Sequence, residues 1–397
     1  MSARRAVEVA EIMHGRIIFL LHLVGSAAER ADVTADGSVS GLPLDAIMSM
    51  RGAELGATMA KWAEEEFEVP SLLMQVFFRI SLLGNMHGPM ELDAFVDAAG
   101  DGLTALIRAT TMHTCGWQSD DPSSMVVLGA LGALGTLSTG GINGQAWKES
   151  SAGLMRCTRL SELGALNATV IAMNAAGFDM TACSQAWNIQ RAGLHVIASV
   201  CLGHDGHEGL GLPNQATREE AMAGLPSEAS FRRETAAAAG AIEAIIGVTG
   251  ALRDCISPCG LKKTEARGML DIALRALQRV ILGHETAGKT RRTRAAEAHV
   301  IPAMVGALDR AARSGWFSKD LMQQVIQTNM ILMGQDDPEG DGRADPALDR
   351  EWQAEIAKRP ALAAKMQAVM AEAYRQDPER VRRAHAQAGH AMPEGLG

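Results

Sequence analysis

The sequence predicts an all-α chain folded as one continuous helical solenoid, and three observations lead there. An apolar residue, any residue and an alanine recur as Leu44-Asp45-Ala46, Leu103-Thr104-Ala105, Leu166-Asn167-Ala168, Ile242-Glu243-Ala244, Ile301-Pro302-Ala303 and Leu362-Ala363-Ala364, at intervals of 59, 63, 76, 59 and 61 residues. A mostly apolar stretch ending near a glycine precedes each of them, at Gly25, Gly84, Gly135, Gly203, Gly283 and Gly334. Two marks that keep their order in this way are the signature of an internal repeat, whose units bury their faces against their neighbours. The third observation is compositional. Hydrophobic residues make up 47% of the chain but aromatic residues only 4%, with 22 Met, so Leu, Ile, Val, Ala and Met must fill the core. Such small or flexible side chains suit helices packed close together.

Taken in order, the units span about 1–60, 61–115, 116–178, 179–255, 256–313 and 314–376, with 377–397 as a frayed tail. The first holds a helix over 6–24, a polar link over 32–37 and a second helix starting near Pro43, since proline's missing N–H suits a first helical turn. In the second, Pro70 introduces a helix over 71–83, then a loop over 84–89, a short helix through Phe95 and another over 102–112. The third starts at Asp120-Asp121-Pro122-Ser123-Ser124, whose oxygens suit free helix N–H groups, and continues as helices over 125–137 and 160–175 around a glycine-rich link over 140–153.

The fourth unit has a helix over 184–202, the longest interruption over 204–230, and the joint at Gly240, after which Ile242, Ile245, Ile246 and Val248 fall mostly on one helix face. The fifth runs through helices over 269–282 and 300–308, with the basic stretch 289–294 read as a solvated connection between them. The last, over 319–334 and 349–374, is more polar, as a terminal repeat facing water should be.

The net charge of −9 argues against nucleic acid or anionic lipid as a general partner. The apolar and uncharged run 125–141 has 17 residues, short of the roughly 20 of a membrane-spanning helix, so no span is expected. Six cysteines in so long a chain do not make a disulfide framework, which points to the cytoplasm or another reducing compartment. Glu8 and Glu11 interrupt the N-terminal stretch before any long apolar run, so it reads as neither signal nor transit peptide, and a targeting segment removed earlier would leave no trace.

Candidate chemistry is sparse. His204 and His207 lack a full ligand set, and Cys255 and Cys259 are spaced unlike a zinc pair. Asp337, Glu339, Asp341 and Asp345 follow the opening of a calcium-binding EF-hand loop, but Leu348 stands where the loop needs a bidentate Glu. No phosphate-binding loop, serine-hydrolase elbow or zinc-protease motif is present, and no cofactor is expected. The six tryptophans are read as packing residues first and interface anchors second.

The segments QRAGLHVIASVCLGHD, RRETAAAAGAIEAIIGVTGAL and LDIALRALQRVILGHETAGKTRRTRAAEAHVIPAMVGAL resemble armadillo repeats, as does the step Ala239-Gly240-Ala241-Ile242 that opens a third helix. The resemblance is strongest over 190–252 and 271–308. It implies a right-handed α-solenoid of about five to six three-helix units, whose third helices line a groove for a peptide or a partner protein. The spacing near 60 residues, against roughly 40 in that family, implies long insertions between helices. The positions where the family's import receptors carry asparagine are here Gly52, Thr111, Asn174, Gly250 and Asp309, which argues against that mode of peptide binding.

The expected function is therefore a non-catalytic scaffold binding a protein partner along the solenoid, with Arg108, Asn167, Asn174, Glu243 and Asp309 as groove residues. Two alternatives stand beside it. One is a permanent structural subunit of a large assembly, and the other a helical enzyme or small-ligand carrier with an enclosed pocket.

Overall fold

The computed structural model describes residues 38–39, 42–43, 104, 107, 111, 122–139, 151–178, 185–201, 226–254, 263–283, 286–334 and 345–376. Among these residues twelve helices account for nearly all of the structure, as an all-α reading requires. The exception is a two-residue strand pair, β1 (Ser38–Val39) with β2 (Leu42–Pro43), antiparallel with Ser38 opposite Pro43. Pro43 itself is extended, and the helix expected to start near it falls on the residues that follow, which lie outside the described residues. A residue before proline is pushed out of the helical region, and Leu42 is accordingly extended. No single helix among the described residues is long and apolar enough to cross a membrane.

The chain forms two compact units, Met1–Gly177 with Asn188–Pro213, and Phe178–Trp187 with Asn214–Gly397. The first contains α1 (Pro122–Thr139), α2 (Ser151–Glu162), α3 (Ala165–Ala176) and most of α4 (Gln185–Val200). α1 packs on α2 and α3, and its Val127, Leu131, Leu134 and Leu137 are all fully buried. The end of α3 leaves carbonyls without intrahelical partners, and buried Gln190 of α4 supplies one donor group to two of them. Its Nε2 donates to the Met173 and Gly177 carbonyls, at 2.7 Å each. Close approach is possible because Gly193 faces Met173: a Cβ there would lie 2.6 Å from the Met173 side chain.

The second unit contains α5 (Pro226–Ala238), α6 (Ala241–Asp254), α7 (Lys263–Ile281), α8 (Thr286–Glu297), α9 (Val300–Ser314), α10 (Lys319–Leu332), α11 (Pro346–Ala357) and α12 (Pro360–Gln376). Helices three apart in sequence meet: α5 with α8, α6 with α9, α7 with α10 and α9 with α12. The α6–α9 contact is the apolar centre, where Ile242, Ile245, Val248, Ile301, Met304, Val305 and Leu308 are all at most 1% exposed. Burying each such side chain contributes about 1.5–3 kcal/mol. Trp187, Trp316 and Trp352 are buried as well, in keeping with a packing role.

One local expectation is overturned here. Residues 289–294 are not a solvated connection but the middle of α8, and Arg291 and Arg292 are 2% and 7% exposed. The buried stripe of that helix is Gly288, Arg291, Arg292 and Ala295, a helical spacing in which two of four members are charged. The charges are tolerated because the end of α7 offers unpaired carbonyls. Arg291 Nη2 donates to the Leu282 oxygen at 2.6 Å, and Arg292 Nη1 donates to the Gly283 oxygen. Gly288 lets α8 come this near, since a Cβ on it would collide with the Gly283 carbonyl.

The turn from α2 into α3, α5 into α6, α8 into α9 and α11 into α12 repeats one hydrogen-bond pattern. Leu163, Ala239, Ala298 and Lys358 each donate to the carbonyl four residues back, and Gly164, Gly240, His299 and Arg359 to the one three back. The carbonyl of that second residue then accepts from the amide of Ala168, Ala244, Ala303 or Ala363. Three of these alanines belong to the sequence pattern given above. In the fourth, the bond falls on Ala363, one residue before the aligned Ala364, while Leu362 is fully buried.

Candidate functional site

A concave feature among the described residues lies in the second unit, between the first turn of α6 and the outer face of α8. It is an open groove of about 780 Å³ lined by Glu243, Thr286, Lys289, Thr290, Thr293, Arg294, Glu297 and Ala298. Six of the eight lie on α8 itself. A helix that buries positions 288, 291, 292 and 295 necessarily turns 286, 289, 290, 293 and 297 outward, and those five residues are all exposed.

Arg294 sits where the two helices meet. Its Nε and Nη2 bind the Glu243 carboxylate in a two-pronged pair, at 2.5 and 3.0 Å, while Nη1 donates to the Ala237 carbonyl at 2.7 Å. It thus joins α8 both to the end of α5 and to the start of α6. Both partners are roughly two-fifths exposed, so water screens the pair and its contribution to stability is under about 1 kcal/mol. Its geometric effect is larger than its energy, because all three guanidinium nitrogens are occupied.

Two threonines of the groove are also committed in part: Thr290 Oγ1 donates to the Thr286 carbonyl at 3.0 Å and Thr293 Oγ1 to the Lys289 carbonyl at 3.1 Å. Lys289 and Glu297 form no ion pair with any described residue. The charges of Lys289, Arg294, Glu243 and Glu297 cancel, so the groove as a whole attracts neither a polyanion nor a polycation.

Of the residues selected from sequence, Glu243 lines this groove and pairs as described. Asn167 and Asn174 are exposed on α3 of the first unit, seven residues apart and hence on one face. Asp309 is largely covered and pairs with Arg313 of its own helix at 2.8 Å. Arg108 lies outside the described residues, as do Asp337, Glu339 and Asp341 of the calcium-loop candidate. Asp345 is described and serves as the N-cap of α11: its Oδ1 accepts from the Ala347 and Leu348 amides at 2.8 and 3.4 Å. Among the described residues no three His, Cys, Asp or Glu side chains converge as a metal site, and Cys157 and Cys201 are buried and not disulfide-bonded.

Of the eight groove residues, sequence reasoning selected only Glu243; Thr286, Glu297 and Ala298 were not singled out, and Lys289, Thr290, Thr293 and Arg294 fell within the stretch read as a solvated connection. A signal for them existed in the spacing 286, 289/290, 293, 297, but its buried counterpart contains two arginines and fails any hydrophobic periodicity test. No family model, curated protein or solved structure matches this chain.

Proposed function

We propose that the chain is a non-catalytic scaffold that binds a protein partner on the surface of stacked, armadillo-like three-helix units. The observation that carries this reading is the same turn, with the same three hydrogen bonds, at four places where a second helix gives way to a third. The meeting of helices three apart in the second unit supports it further, since stacked triplets bring corresponding helices together. A surface of this kind recognises partners by complementarity over an extended area and needs no enclosed cavity. The open α6–α8 groove and the exposed asparagines of α3 suit that mode of binding.

The test is capture with tagged full-length protein from its native cell extract, read by mass spectrometry beside the Asn167→Ala/Asn174→Ala and Glu243→Ala variants. The expected result is a reproducible partner set, with at least one member weakened by a variant that leaves the circular dichroism spectrum unchanged. Capture of nothing above a tag-only control, with a small molecule retained by the purified protein in native mass spectrometry, overturns the reading in favour of a ligand carrier.

A further inference from the structure

We infer that the α6–α8 groove takes an extended peptide segment carrying one acidic and one basic side chain four residues apart. The inference rests on the scaffold reading and assigns it a site and a partner chemistry. Arg294 is already held by the Glu243 carboxylate and the Ala237 carbonyl, which take three of its five N–H groups and neutralise its charge. Thr290 and Thr293 spend their hydroxyl hydrogens on their own helix. That leaves two exposed groups of opposite sign, Lys289 and Glu297, eight residues apart on α8.

Eight residues of helix rise about 12 Å, which an extended chain at about 3.3 Å per residue covers in about four residues. Side chains four apart on an extended chain point to the same side, so one segment can meet both charges at once. A helical occupant is disfavoured because helices dock through apolar anchors at three- and four-residue spacing, and the groove offers only Ala298 and threonine methyl groups as apolar surface. A phosphate-rich ligand is disfavoured because Glu297 and Glu243 would face it beside Lys289.

The experiment uses full-length protein and fluorescent, end-blocked peptides of glycine and serine with a single glutamate and a single lysine placed two, four or eight positions apart, read by anisotropy at low salt. The four-apart peptide is expected to bind tightest. Lys289→Ala and Glu297→Ala should each weaken it by about threefold, the scale of an exposed ion pair. A preference for the eight-apart peptide overturns the proposal in favour of a helical occupant. Equal binding of all three peptides, or binding unchanged in both variants, overturns it outright. Running partner capture with the same two variants separates the two readings. A partner set retained by both variants, with no peptide preference, sinks the groove and leaves the scaffold standing, whereas a peptide preference with nothing captured does the reverse.

Discussion

The turns at Gly164, Gly240 and His299 and the turn at Arg359 reach the same hydrogen-bond pattern by different means. In the first three the backbone does it alone: the turning residue is left-handed, with φ of 83°, 91° and 63°. At the last, Arg359 holds the same place without a positive φ and is followed by Pro360, the proline setting the first residue of the new helix. There side chains hold the turn. Glu355, one turn back, accepts from Lys358 Nζ on one oxygen and from Arg359 Nη1 on the other, at 2.7 Å, and Arg359 Nη1 also reaches the Glu355 carbonyl at 2.6 Å. A left-handed residue makes the turn without regard to solvent conditions. A carboxylate clasp makes it only while the carboxylate is charged.

The largest effect expected from breaking this comparison is at Gly240. A β-branched L-residue at φ 91° is sterically opposed, so Gly240→Val should lower stability by about 2 kcal/mol, measured by urea unfolding. The matching change at the other kind of turn is Glu355→Gln. Hydrogen bonds from Lys358 and then from Arg359 hold the Glu355 carboxyl below its ordinary value, with burial opposing them. A lowered folded pKa means the contribution is fully present above the unfolded value of about 4.3 and is lost as pH falls through the folded value. Because Lys358 is largely exposed, the clasp is worth under about 1 kcal/mol. Glu355→Gln should therefore lower Tm slightly at pH 7, and the gap from the parent protein should close as the pH is brought down through the acid range. A gap that persists undiminished in acid would remove the charge from the explanation.

The smallest effect sharpens the comparison from the other side. His299 is the one non-glycine residue with positive φ among those described, and Gly164 and Gly240 hold the same place in their turns. His299→Gly relieves the left-handed cost but adds unfolded-state freedom, so a net gain of about 0.5 kcal/mol is expected in urea unfolding. A loss instead would mean that the imidazole contributes contacts that outweigh the strain.

Legibility differed in the same way across the molecule. Leu166, Ala168, Ile242, Ala244, Ile301 and Ala303 were readable as a recurring joint, and all six are buried just past their turns. They could be read because a helix entry is a local event, set by a turning residue and the apolar positions within one turn of it. Of the site, Glu243 was reachable by the same alignment, while its partner Arg294 was not, standing 51 residues away.

What the sequence determined by itself is the helical content and the joint at Gly240, since both follow from spacing and, at that joint, from glycine's freedom at positive φ; the turn at Gly164 falls inside the single helix expected over 160–175. What only the tertiary structure decided is the character of α8. Its sequence, TAGKTRRTRAAE, has too little apolar surface to declare a buried face. Arg291 and Arg292 can be buried only where the end of α7 presents carbonyls left over by its last turn, with Gly288 permitting the approach. That same burial turns Lys289 and Glu297 outward into the groove, so the candidate site is a consequence of packing that no local pattern specifies.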